Sequence, residues 1–133
     1  MADSGLVLIK GIVARLKSFT TLTNIVGQNI YTKVPENTAF PYVKINATAE
    51  PWAAFEFSDM KHRLRVHGFS RSSVEQVLEI RESIFNALDR QEANVTLDSG
   101  NLVRLEFSGL ADAFVEEDGK TWQSVVEFDI VIN

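Results

Sequence analysis

A chain of 133 residues, 45% hydrophobic and 23% charged, is long enough to bury one real core and is read as a single domain over 1–133. No apolar run approaches the ~20 residues of a membrane helix, so no membrane partner is expected, and zero cysteines exclude disulfides, thiolate metal sites and a cysteine nucleophile. A formal charge of −5 argues against nucleic-acid binding as a primary task, because phosphate neutralisation rests on clustered Lys and Arg.

The start, Met1-Ala2-Asp3-Ser4, places an acid where a signal peptide carries basic residues, and Lys10 and Arg15 interrupt the apolar segment nearby. Synthesis without export is expected. Asp3 or Ser4 is a helix N-cap candidate, and Leu6, Ile9, Val13, Leu16 and Phe19 recur at helical spacing, which predicts a first helix over 4–18. Thr20, Thr21, Thr23 and Asn24 favour turn or capping geometry, so Leu22, Ile25 and Val26 are expected to form a small apolar turn closed by Gly27. A short strand around Ile30 follows. Pro35 and Pro41 restrict their own and their predecessors' dihedrals, making 34–40 an extended loop.

From Tyr42, Val43, Ile45 and Ala47 alternate with Lys44, Asn46 and Thr48, the pattern of a half-buried strand. Residues 50–59 hold Pro51, Trp52, Phe55 and Phe57 without clean periodicity and read as a long loop between two strands. Alternation resumes over 60–70, with Leu64 and Val66 on one face and Lys61, Arg63, Arg65 and His67 on the other. Ser72 with Glu75 predicts a capping box, and Val74, Val77, Leu78, Ile84, Phe85 and Leu88 continue a second helix to about Arg90. A hairpin is expected from 95–97 through Asp98-Ser99-Gly100-Asn101 into a strand at Leu102. Asp118-Gly119 is the strongest hairpin signal in the chain. A type I′ turn there pairs Ala111 with Val126, Gly109 with Phe128, Phe107 with Ile130 and Leu105 with Ile132, all apolar, and puts Glu106, Glu127 and Asp129 on the other face.

The predicted fold class is therefore α+β, a mostly antiparallel twisted sheet with two helices packed on one face and Arg63, Arg65, Arg104, Glu106, Glu127 and Asp129 on the other.

Catalytic signals are weak. His62 and His67 are an odd number of residues apart on one strand and point to opposite faces, so they do not share a metal without a bulge. Asp112, Glu116, Glu117 and Asp118 gather near a hairpin tip, where carboxylates are usually solvated. Gly68-Phe69-Ser70-Arg71-Ser72 has part of the outline of a nucleophile elbow but lacks the second glycine and the α/β sheet context. No glycine-rich phosphate loop is present. The expectation is a protein with no cofactor, no metal and no catalytic residue. The basic stripe Lys61, Arg63, Arg65 and His67 reads first as one side of cross-strand ion pairs with Glu106, Glu127 and Asp129, each pair adding about 0.2–1 kcal/mol. The same mixed charges would also orient a subunit contact. Trp52, Phe55 and Phe57 either fold back to cap the core or reach another protein, since aromatics are enriched at interface centres. Trp52, Phe55, Phe57, Arg63, Arg65, Glu127 and Asp129 are the candidate interface residues.

The segment 26–43 carries a wider likeness. An N-terminal helix, a turn ending in Val26-Gly27, a short Ile30-Tyr31 strand, a Val34-Pro35 step, Phe40-Pro41-Tyr42-Val43 opening the next strand and Trp52 soon after occur in this order. Over residues 5–133 the chain resembles the small tail completion or tail terminator proteins of long-tailed phages, prophages and gene transfer agents. The resemblance implies a virion structural protein at the head-proximal end of the tail, made in the bacterial host cytoplasm. Such proteins form a ring, typically a hexamer, that ends tube polymerisation. The implied partners are further copies of the chain, the major tail tube protein and the head-tail connector protein, with DNA passing through the lumen without specific binding. A monomeric or dimeric ferredoxin-like regulatory or binding module is the alternative.

Overall fold

The computed structural model describes residues 4–50 and 60–133, with backbone alone over 48–50. Helix α1 (Gly5–Ser18) is followed by helix α2 (Thr20–Val26), strand β1 (Ile30–Tyr31), strand β2 (Tyr42–Glu50), strand β3 (Met60–Ser70), helix α3 (Val74–Leu88), a 3-10 turn (Glu92–Asn94), strand β4 (Leu102–Val115) and strand β5 (Trp122–Ile132). The class is α+β, as expected. The sheet order is β1-β2-β3-β5-β4; β1 runs parallel to β2, whereas the other three pairings are antiparallel, so the sheet is mixed. Among the described residues no helix stands between β1, β2 and β3, an order that departs from the βαββαβ order of ferredoxin-like modules.

Among the described residues there are three α-helices, not two. The threonine-rich segment after Phe19 has low helix propensity, yet it winds into α2 because Leu22 and Val26, one turn apart, are both buried in the core. Gly27, at φ 62°, stops it with its N–H on the Thr23 carbonyl. In α1 the buried stripe is Leu8, Ile12 and Leu16, while Leu6 is 67% exposed. The helix is apolar around much of its girth, so periodicity alone did not choose the face. Gly11 decides it: a Cβ there would lie 2.9 Å from the Thr96 carbonyl oxygen and from Leu97, so only glycine admits the close approach of the 95–97 segment.

Ser4 stands at the N-cap position of α1, as expected, but its side chain makes no capping hydrogen bond; the hydroxyl meets His62 Nε2 at 2.6 Å, a buried pair joining the start of α1 to β3. The cap of α3 is Ser73, one residue later than expected, accepting from Gln76 N at 3.1 Å. Ser70 donates to Gln76 Oε1 and occupies that side chain.

Strands β2 and β3 carry their apolar residues as their alternation required, with Val43, Ile45, Leu64 and Val66 all buried. No strand forms over 95–97. Val95 instead drops into the core after the 3-10 turn, and Asn101 exchanges both backbone hydrogen bonds with Asn133, each 2.9 Å.

The β4–β5 register agrees with expectation from Ala111↔Val126 to Val115↔Trp122. It then slips by two, giving Phe107↔Phe128 and Leu105↔Ile130, because residues 108–110 face the single residue Glu127. A two-residue bulge preserves the in-out alternation, so Leu105 and Phe107 still point to the core although their partners change. Gly109, at φ 101°, sits inside the bulge.

Candidate assembly surface

The helices cover one face of the sheet, over a core that includes Phe128, Leu64, Leu105, Ile80 and Ile84. The opposite face carries the charged residues singled out from sequence, because strand alternation sends Arg63, Arg65, Glu127 and Asp129 to the same side. Cross-strand register sets Arg65 beside Glu127 and Arg63 beside Asp129. Arg65 Nε donates to Glu127 Oε2 at 2.8 Å and Ser108 Oγ to Oε1 at 3.0 Å, while Arg63 Nε lies 3.5 Å from Glu127 and 3.8 Å from Asp129. Arg104 and Glu106 approach to 3.8 Å at the β4 end.

Glu127 anchors this lattice. Its side chain is 8% exposed against 44% and 50% for the two arginines. Burial pushes its carboxyl up, but hydrogen bonds from Arg65 and Ser108 and the charges of Arg63 and Arg65 outweigh that and hold it below the usual carboxylate range. The half-exposed arginines make these pairs register-setting rather than strongly stabilising.

Sequence reasoning missed a second cluster, at the β2 start and β3 end of this face. Phe40, Tyr42 and Phe69 pack in series, with centroids 5.1 and 4.7 Å apart, and His67 follows at 6.3 Å. Arg71 ties the cluster to the hairpin tip: its guanidinium lies 4.4 Å from the Phe40 ring centroid, its Nε donates to Thr121 Oγ1 at 3.1 Å, and it stands 3.7 Å from Asp118. Burial, then the charges of Lys44 and Arg65, lower the pKa of His67, whose Nδ1 lies 2.9 Å from Gln123 Nε2. The only sequence sign of this cluster is the X-Pro-aromatic run at 40–42, which does not show that Arg71 closes over it.

The turn at Asp118 differs from the expected type I′. Asn37 and Arg90 are the only described non-glycine residues at positive φ, so Asp118 lacks that conformation, whereas Gly119 has φ 70°. The loop instead pairs Glu116 N with Thr121 O at 2.8 Å and closes Gly119 N onto Glu116 O at 2.9 Å. Asp118 accepts from Thr121 Oγ1, Lys120 N and Thr121 N, which with Arg71 holds its carboxyl down at about 2. Both loops are centred on the same bond, so the register survives the change of turn.

His62 and His67 lie on opposite faces, His62 buried and His67 half-buried on the charged side. Ser70 is on the core face, away from His67. Among the described residues no group of three or more His, Asp or Glu is arranged to hold a metal, and no helix is long and apolar enough to cross a membrane. Trp52, Phe55 and Phe57 lie outside the described residues. What the described face offers is an ordered set of ion pairs and a packed aromatic cluster.

A family profile described as Tail completion protein gp17 matches residues 10–133. A chain from the virion of a native gene transfer agent particle superposes with a TM-score of 0.79 and 18% identity, over 91% of this chain and 90% of that one, a likeness of fold. Comparison with curated proteins found no match.

Proposed function

The chain belongs to the tail completion protein family and is a structural protein of a virion tail, and from that premise we propose that it acts as one tail-terminator domain, in a phage or gene transfer agent, that closes into a ring, hexameric in the usual case. The ring caps the head-proximal end of the tail tube, stops its polymerisation and presents a surface to the head connector, with no catalytic step. The match over residues 10–133 carries this reading. The sheet face opposite the helices supports it, since among the described residues no helix covers it and an ordered ion-pair lattice there is a means of fixing orientation between subunits. Arg63, Arg65, Glu127 and Asp129 are proposed as contact residues on that face. Native mass spectrometry and electron microscopy of the protein, alone and with tail tubes, should give a closed ring. A strict monomer without affinity for tube ends would overturn the reading.

Trp52, Phe55 and Phe57 belong to the segment joining β2 to β3, and we place them at a contact with a neighbouring subunit or virion protein. Changing Trp52 and Phe55 together to Ser should leave the thermal melt of the isolated protein nearly unchanged and weaken ring formation or tail attachment. A large fall in melting temperature would assign these aromatics to the core.

A further inference from the structure

On the sheet face the charges are matched within the chain, Arg63 and Arg65 against Glu127 and Asp129. In the helical layer they are sorted by sign instead. From Ser4 to Pro35, which takes in α1, α2 and β1, the chain holds Lys10, Arg15, Lys17 and Lys33 and no Asp or Glu. Helix α3 holds Glu75, Glu79 and Glu82, and Arg81 leaves it net acidic. Lys10, Lys17, Glu75 and Glu82 are all exposed, and among the described residues no ion pair engages them. Their charge is available to a partner.

The two signs stand on opposite flanks of the layer. Helix α1 packs on β1 and β2, and α3 on β3, β5 and β4. Arg15 reaches from α1 to α3, its Nε donating to Ala87 O at 2.9 Å. At about 100° per residue, Leu6, Lys10 and Lys17 lie roughly 140–180° round α1 from Arg15, on the side turned away from α3. On the other flank a groove of about 390 Å³ opens between α3 and β4, its walls including Leu78, Arg81, Glu82 and Phe85 of the helix and Phe107 and Ala111 of the strand.

The apolar residues and the spacing match as well. Leu6, 67% exposed, is the most exposed large apolar side chain among the described residues, and Leu78, at the groove, is 37% exposed. Lys10, Val13 and Lys17 fall at i, i+3 and i+7, and Glu75, Leu78 and Glu82 repeat that pattern. The two lysines and the two glutamates are therefore each about 10.5 Å apart along their helices.

We propose that the ring, taken from the functional reading above, closes by seating the outer stripe of α1 of one copy on the outer stripe of α3 of the next. Lys10 and Lys17 face the glutamates, Leu6 and Leu78 are covered, and the groove between α3 and β4 receives side chains of α1. The contact is heterologous, with two different patches per subunit, as closure by rotation requires. It leaves the ion pairs of the sheet face intact. Apolar burial supplies affinity, and charge supplies selectivity, because two α1 stripes or two α3 stripes repel and copies join only head to tail.

Charge swaps test this by native mass spectrometry and electron microscopy, with and without tail tubes, each variant first compared with wild type in a thermal melt. One chain carries Lys10→Glu with Lys17→Glu, the other Glu75→Lys with Glu82→Lys. Each alone should self-associate about tenfold or more weakly than wild type. Mixed, they should regain most of the assembly with the two chains alternating, since the acidic α1 of one meets the basic α3 of the other and the unchanged helices meet at the joints between. Leu6→Gln should leave the melt unchanged and weaken assembly by about tenfold, which keeps the contact testable if a double reversal does not fold. Reversals that assemble as well as wild type, a mixture no better than its parts, or a folded Leu6→Gln variant with wild-type assembly would overturn the contact while leaving the ring standing. Unchanged rings with lost attachment to tubes or connector would hand the stripes to another virion protein and also overturn it. A wild type that forms no ring in either setting removes the functional reading and this inference together.

Discussion

Truncating Phe128 to Ala is expected to cost about 3–5 kcal/mol of stability. Phe128 is fully buried at the middle of β5, opposite Leu64 on β3 and Phe107 on β4. Its ring meets Phe107 edge-on at 6.5 Å, and Phe107 meets Phe85 of α3 at 5.4 Å, so one side chain connects three strands to a helix. Total stability for a domain of this kind is about 5–15 kcal/mol. The variant should therefore lose a large part of it, with a fall in melting temperature on the order of 10 °C. Urea denaturation should show a lower midpoint at unchanged slope, and Phe128→Leu should recover most of the loss. A cost below about 1 kcal/mol would mean that the two-residue bulge does not bring Phe107 over Phe128, and that the β4–β5 register is wrong in its lower half.

Gly119→Val should destabilise by about 1–3 kcal/mol through backbone conformation alone. At φ 70° the residue sits where a β-branched side chain is strained, and a Cβ built there meets nothing within 4 Å, so crowding contributes nothing. Gly119→Asn should recover part of the loss, because Asn tolerates the left-handed region. The measurement is the denaturation midpoint of the three proteins. An unchanged midpoint for the Val variant would show that the loop relaxes to another turn, held by the Asp118 bonds to Lys120 and Thr121.

Much of the architecture was legible because strand alternation and turn position are local properties. Val43 and Ile45 against Lys44 and Asn46, and Leu64 and Val66 against Arg63 and Arg65, fall on the faces that a period of two assigns. The upper half of the β4–β5 register also followed from Asp118-Gly119, even though the turn is of another type. The ion pairs of Arg63 and Arg65 with Glu127 and Asp129 were legible by the same parity. The likeness across 26–43 located the family, which the profile match over residues 10–133 establishes independently.

Where local signals were ambiguous, distant contacts decided. Thr20–Val26 became a helix because Leu22 and Val26 found a core to enter, and Leu6 stayed exposed because Gly11 turned α1 toward the 95–97 segment. The cap of α3 is Ser73, whose hydroxyl accepts from the Gln76 backbone N–H, while the Gln76 side chain is bonded to Ser70 at the end of β3. By itself the sequence determined which residues face the core and which face outward on β2 and β3, since that needs only a strand and its period. The tertiary structure alone decided which strands stand at the edges, because strand order depends on pairings between residues far apart in the chain.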